Sequence, residues 1–380
     1  LKEHRADDAR ASLRTCRFLW PFSDSVRLMQ ARAARLAGDF DEAEAYLLRV
    51  LKSDGPSRDA AQLEFLLLRV QAGDLEAVEQ PLINCVDNGH PESPLILETL
   101  ANAHMRSLRY GPARIALDRW LELDPSSAIA HQHRGWILER ANDPKGAIAD
   151  YARAVELAPD SVPPRLRLAE LLLGEKETAT AAGHLERLHK RHPRRAEVLA
   201  RLGQCRYQQG ETEEARRLLE SAVERLPDDP LVLIHLAKLD LEEQMPAQAE
   251  RWLRKLLALD PADAEGQFTL VKALRKQGRD PEADEEEKRY KRTQRLLTRV
   301  NLLLRDEVDK HPGHPGAPAE AGIGLLELGQ ERLALHWLHE ALRRDPRHQP
   351  THRALAGHYE RKKDEAKAAY HRRQLVGAAP

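Results

Sequence analysis

Aromatic residues fill only 4% of the 380 positions, and there are three cysteines, Cys16, Cys85 and Cys205. Three thiols cannot close a disulfide framework, and none belongs to a CxxC pair, so a disulfide scaffold is excluded. All three read as small apolar fillers on buried helix faces. Charge of one sign is lacking as well: 60 basic residues against 61 acidic ones leave a formal net charge of -1. No whole-chain field therefore points to nucleic acid or to an anionic membrane. No window approaches about 18 uncharged apolar residues, which excludes a membrane-spanning helix in this stretch. Strand-favouring β-branched and aromatic residues are scarce. Ala and Leu dominate the apolar fraction and Arg outnumbers Lys, a mixture of helix formers.

What the sequence has in abundance is self-similarity, the first thing to look for in such a chain. Pro125, Pro159, Pro193, Pro227 and Pro261 follow one another at 34 residues. Ala113, Ala147, Ala181, Ala215, Ala249 and Ala283 run in phase with them. Four residues beyond each of the first five alanines stands Leu117, Tyr151, Leu185, Leu219 or Leu253. Upstream, a small residue recurs at Ala101, Gly135, Ala169, Gly203 and Ala237.

Each column has a mechanical reason. Leu199, Leu202, Gly203 and Arg206 share one face of a helix. Gly210 ends that helix, because glycine takes the left-handed conformation of a C-terminal cap, and Asn142 stands at the equivalent place. A second helix starts near Glu213, with Ala215, Leu219 and Ala222 inward, and Pro227 stops it. Serines such as Ser126 and Ser127 fall at turns and read as helix caps. The unit is a helical hairpin whose small residues let its two helices approach closely. One hairpin cannot cover its own apolar face, so neighbours must stack.

These residues resemble the tetratricopeptide repeat family, whose 34-residue pattern has small residues at positions 8, 20 and 27 and proline at 32. Gly203, Ala215, Ala222 and Pro227 fit all four places, as do Gly135, Ala147, Ala154 and Pro159. Gly322, Ala334, Ala341 and Pro346 fit again near the C-terminus. The family's aromatic at position 4 is missing throughout, and Trp120 and Leu188 replace the alanine at 27. The resemblance implies an all-α, right-handed α-solenoid superhelix of about ten tandem hairpins. The expected division is a partial repeat over 1–23, contributing only a second helix (Ala9, Leu13, Cys16, Pro21), and two units over 24–93. Five regular units over 94–263 follow, then an irregular one over 264–314 and two units over 315–380, the last shortened. Because the chain opens on Leu1 rather than Met, a segment upstream is expected, an anchor or an enzymatic part among the alternatives. Cytoplasmic localisation is favoured, with the compartment left open.

Residues 282–309 break the frame. They read as one long helix or two abutting ones, with i,i+4 pairs Asp284/Lys288, Glu285/Arg289 and Glu287/Lys291. An apolar stripe of Leu296, Leu297, Val300, Leu303, Leu304 and Val308 comes next, and then a Gly/Pro loop from His311 to Gly316. A remnant repeat fused to its predecessor accounts for this, and a self-association helix is the alternative.

Catalytic signatures are absent: no GxGxxG, GxxxxGK[ST], HExxH or GxSxG, and no calcium loop. Among 17 histidines, the pairs His189/His192, His336/His339 and His311/His314 have no evident third ligand, so exposed surface histidines are expected and no metal or cofactor. Base-reading helical repeats need a continuous basic groove, which the mixed inner columns do not supply. The chain therefore reads as a non-enzymatic scaffold for a protein or peptide. In the resembled family ligands meet positions 2, 5, 9, 12 and 13 of each first helix. Those columns nominate Asn102, Trp136, Arg140, Gln204, Tyr207, Lys238, Phe268, Lys272, Arg275 and Lys276, with Glu98, Arg106, Gln132 and Glu139 beside them. The run from Phe268 to Lys276 is a basic cluster suited to an acidic segment, with a solvated charged face as the plain alternative.

Overall fold

The computed structural model describes residues 12–13, 16, 19–20, 23–308 and 313–376. The half-repeat expected from Ala9 and Pro21, and His311 of the Gly/Pro loop, lie outside them. The described residues form helices and turns, with no strand among them. Helix α1 (Asp24–Ala37) turns through Gly38 into α2 (Phe40–Leu51), and α3 (Arg58–Gln71) is followed by α4 (Leu75–Asp87). Next come α5 (Ser93–Arg106) with α6 (Tyr110–Leu123) and α7 (Ala128–Arg140) with α8 (Pro144–Leu157). Then follow α9 (Val162–Gly174), α10 (Thr178–Arg191), α11 (Ala196–Gln209) and α12 (Thr212–Val223). Helices α13 (Pro230–Glu242) and α14 (Pro246–Leu259) precede α15 (Ala264–Lys276) and the long α16 (Asp280–Leu302). The last hairpins are α17 (Gly316–Glu327) with α18 (Glu331–Arg344) and α19 (Gln349–Arg361) with α20 (Glu365–Val376). The chain divides into two compact units, unit 1 ending at His184 and unit 2 beginning at Leu185. Each is a stretch of α-solenoid.

The periodic columns are the core. Ala113, Ala147, Ala181, Ala215, Ala249 and Ala283 are all fully buried, as are Leu117, Leu185, Leu219 and Leu253, with Tyr151 nearly so. The small upstream column works against them. A Cβ on Gly203 would lie 2.7 Å from Leu219 Cγ, and one on Gly135 would lie 3.2 Å from the Tyr151 ring. Glycine there lets the paired helices close onto the large side chain of the second helix. Gly210, at φ 81°, caps α11 through the Arg206 and Tyr207 carbonyls, and Asn142 takes φ 58° between α7 and α8. Ser127 Oγ accepts from the Ala130 N–H at 3.3 Å, capping α7, whereas Ser126 instead donates to Asp124 Oδ1 at 2.7 Å.

Where the family's position-4 aromatic is missing, polar side chains tie one repeat to the next. His131 Nε2 lies 3.2 Å from the Pro125 carbonyl oxygen, and Arg165 donates to that of Pro159 at 2.9 Å. Gln267 donates to the Pro261 carbonyl at 2.8 Å, and His352 to that of Pro346 at 2.9 Å. In three of these hairpins a partner stands 19 residues on: Asp150 for His131, His184 for Arg165 and His371 for His352. The same two columns hold Leu199 and Leu218, then Leu233 and Trp252, in the apolar hairpins between.

Several expectations need correction. Only Cys205 is buried; Cys16 and Cys85 are half-buried. Residues 282–309 begin inside one continuous helix, α16, which passes into a π-helical turn, Leu303–Glu307. Of the three charge pairs, Glu287/Lys291 forms at 2.7 Å, but Lys288 and Arg289 turn to Glu285 and Glu286 at i,i+3. The apolar stripe is covered by the chain itself: Val300 packs with Ala262, Leu325, Leu328 and Ala334, with Leu296, Leu297 and Leu304 alongside. His189 and His192 are half-buried rather than exposed, and His104, His235, His352, His358 and His371 are buried.

Candidate functional site

In unit 1 the first helices of five successive hairpins, α1, α3, α5, α7 and α9, line one cleft of about 690 Å³. The helical period selects which side chains reach it. Positions 95, 98, 102, 105 and 106 share the inner face of α5, so Leu95, Glu98, Asn102, Met105 and Arg106 all line the cleft. Gln132 and Trp136 do the same from α7. The sequence-nominated Asn102 and Trp136 therefore meet in one place. Arg140 reaches it through Trp136: its guanidinium carbon sits 4.0 Å from the indole centroid, a cation–π stack. Tyr110 meets Trp136 edge-on at 5.7 Å between centroids, so the indole is held from a second side.

The floor and far wall are ion-paired within the chain. Tyr151 is buried at the floor and its hydroxyl donates to Glu139 at 3.2 Å. Burial, followed by the Glu139 charge, pushes this phenol well above its ordinary range. Arg167 pairs with both Glu139 and Glu170, and the buried Arg35 pairs with the fully buried Glu64. Arg32 bonds the same Glu64 carboxylate at 3.1 Å, so this acid is held by two guanidinium groups within the chain. Leu36, Leu95, Met105 and Pro163 line the cleft as apolar wall beside Trp136. These four were not nominated, although Leu36, Leu95, Met105 and Pro163 fall in the same inner columns; attention to polar and aromatic types hid them.

The nominated residues of unit 2 are spent differently. Gln204 accepts from Arg201 at 3.2 Å. The Tyr207 hydroxyl donates to Glu242 at 2.6 Å and its ring meets the buried His235 edge-on at 5.5 Å. Burial, then that hydrogen bond, raises the Tyr207 phenol. Burial also pushes His235 down to about 4, its Nδ1–H donating to the Leu231 carbonyl at 2.8 Å. Lys238 is ion-paired with Glu265 and stands 6.0 Å from the Tyr207 ring centroid. Phe268 packs on Tyr290 at 5.5 Å, and Lys272 lies 4.3 Å over the Phe268 ring. Arg275 pairs with Glu287 and lies 3.8 Å from Asp284, while Lys276 donates to the Leu241 carbonyl at 2.9 Å. Of this run Arg275 is ion-paired, Lys276 is hydrogen-bonded to a carbonyl and Lys272 is stacked on a ring.

Among the described residues, no three His, Cys, Asp or Glu side chains gather into a group that could hold a metal ion. Also among them, no helix is long and apolar enough to cross a membrane.

Two sequence profiles of the tetratricopeptide repeat match this chain, one over residues 1–77 and 98–162, the other over 172–239, together more than half of it. Type IV pilus assembly protein PilF of Pseudomonas aeruginosa is 28% identical over 202 residues. That match takes in 53% of this chain and 66% of PilF, slightly under two thirds of its length. A solved structure of Pseudomonas aeruginosa pilF is similar over 54% of this chain and 93% of that one, at 20% identity and a TM-score of 0.46. A tetratricopeptide repeat protein from Parabacteroides merdae is similar over 66% of this chain and 98% of its own, at 16% identity and a TM-score of 0.44. With its 34-residue columns buried as the repeat requires and more than half its length matched, the chain belongs to the tetratricopeptide repeat family.

Proposed function

We propose that this chain is a non-enzymatic scaffold that holds a protein or peptide segment in the unit 1 cleft. Tetratricopeptide repeat proteins act as protein-interaction scaffolds, and protein is the class of partner that the family implies. The observation that carries the choice of place is the cleft itself: five first helices supply a mostly apolar surface around the half-buried Trp136. Such a surface gives a partner an aromatic anchor inside an apolar wall, the arrangement in which truncating one side chain removes most of the affinity. Stacked hairpins hold the wall in place beforehand, which lowers the ordering cost of binding. A net charge of -1 supports a protein over a nucleic acid. The similarity to a pilus assembly protein supports a scaffold over an enzyme. Self-association through residues 282–309 has less support, because the apolar stripe of α16 is already covered by α17 and α18.

Site-specific photo-cross-linking in the source cell tests the proposal. A photoreactive residue at Asn102 or Met105 is expected to capture a protein partner, and one at the exposed Glu122 of α6 is expected not to. Equal capture at Glu122, or none at the two inner positions, would refute the assignment to this cleft.

A further inference from the structure

The charges around the cleft do not cancel everywhere. Glu139, Glu170 and Glu64 are each bonded to an arginine, and those bonds occupy Arg167 and Arg35. Glu98 is engaged as well. Two guanidinium groups remain outside this account. Arg106 ends α5 and lines the cleft, and Arg140 ends α7 and stacks on Trp136. Both are exposed, and among the described residues neither is part of an ion pair. They stand in equivalent places one 34-residue repeat apart, on neighbouring first helices.

Resting on the groove reading above, we propose that the unit 1 cleft selects a peptide segment that sets a large apolar side chain against Trp136 and side-chain carboxylates against Arg106 and Arg140. The chemistry of the two ends fits one ligand. Leu95, Met105 and the indole offer apolar area, and a buried aromatic or aliphatic anchor is what such a wall rewards. Guanidinium groups take carboxylates in a two-point fork that ammonium groups cannot match. Stacking on Trp136 orders Arg140 before the ligand arrives, so less side-chain freedom is lost on binding. Helices in contact lie roughly 8–10 Å apart, a distance an extended peptide covers in about three residues. Acidic residues spaced by three around an apolar one therefore reach both arginines. In unit 2 the cation in the same repeat column, Lys276, is hydrogen-bonded to the Leu241 carbonyl. Lys238 is ion-paired with Glu265 and Arg275 with Glu287, which leaves one cation stacked on an aromatic ring, Lys272 on Phe268, in place of two arginines. The acidic preference is accordingly assigned to unit 1 and not to the Phe268–Lys276 run.

The test titrates short synthetic peptides into the full chain by calorimetry. Both ends are blocked, so that only side chains carry charge. One peptide has two Asp three residues apart with a Phe between them; the others replace Asp by Lys, Asp by Asn, or Phe by Ser. The acidic peptide is expected to bind about tenfold or more tighter than its Lys counterpart at low salt, and salt should erode that gap. Arg106→Glu with Arg140→Glu should invert the preference, and Arg106→Gln with Arg140→Gln should abolish it at an unchanged melting temperature. Equal affinity for the Asp and Lys peptides, a preference untouched by both double variants, or no binding by any peptide overturns the proposal. If the Asn peptide binds and Trp136→Ala weakens it while acid is not preferred, the charge assignment fails and the groove reading stands. If peptides bind but none responds to Trp136→Ala, both fall.

Discussion

The inner faces of the two units are built from the same columns of the same repeat, yet they are used in opposite ways. In unit 1 the columns open into a cleft where an indole, a thioether and two arginine ends are presented outward. In unit 2 the corresponding side chains are turned on one another: Tyr207 on Glu242, Lys238 on Glu265, Arg275 on Glu287 and Lys276 on a carbonyl. Position in a repeat decides that a residue can face inward; what its neighbours 12 to 35 residues away offer decides whether it is still available. A column is therefore a necessary condition for a binding residue and not a sufficient one.

The sharpest way to break the comparison is to remove the support beneath the open face. Ala147 is fully buried in α8, against the helices that line the cleft. Ala147→Asp places an unpaired carboxylate there, at a cost of several kcal/mol, and should abolish the cooperative melting of unit 1 measured by circular dichroism. An unchanged melting curve would contradict the repeat frame itself.

Acid should distinguish the units next. Burial holds His235 and His371 down to about 4 from an ordinary value of 6.5, His371 also through His352 and His339. A depressed folded-state pKa means that the unfolded chain takes up the proton first. Stability is thus full above pH 6.5 and is lost as pH falls from there towards about 4, by roughly 3 kcal/mol per site at most. In unit 1, His104 is also lowered by burial, but Glu79 at 3.2 Å pulls against it. Hydrogen exchange near pH 4.5 should show α13, α19 and α20 losing protection before α5 and α7. The reverse order would mean that the buried histidines of unit 2 are not what acid acts on.

Smaller effects sharpen the contrast. Lys276→Met leaves the Leu241 carbonyl without its side-chain donor and should cost about 1 kcal/mol in chemical denaturation. Charge reversal across Lys272, Arg275 and Lys276 should likewise lower stability; loss of partner affinity at unchanged stability would instead restore this run as a site. At the other end of the scale, Arg106→Ala is expected to change stability by less than about 0.5 kcal/mol, as befits an exposed side chain with no ion pair among the described residues. A larger loss would show that it is structural after all.

Much of this architecture is legible in the sequence, because a 34-residue period repeated through Ala147, Ala181 and Ala215 leaves few alternatives. The cleft is half legible. Asn102 and Trp136 stand out by type, whereas Leu36 and Met105 are ordinary residues that matter only because their columns converge. The compensation of Lys276 is not legible, since its partner is a backbone carbonyl 35 residues upstream. Nor are the ties at position 4 apparent one repeat at a time. A polar residue six after the proline, with a second polar residue 19 further on, becomes a signal only when His131/Asp150, Arg165/His184 and His352/His371 are aligned.

Those ties also say where such an array can be cut and rejoined. The acceptor each one uses is a main-chain oxygen, which any preceding segment can provide, but the donor and its companion lie within a single hairpin. Duplication, deletion or grafting with breakpoints at the prolines moves both side chains together and leaves them matched. A crossover inside a hairpin would strand His352 without His371, or set Leu199 opposite an aspartate. Modular evolution of this chain, and any attempt to lengthen it by design, is thereby channelled to the turn between repeats.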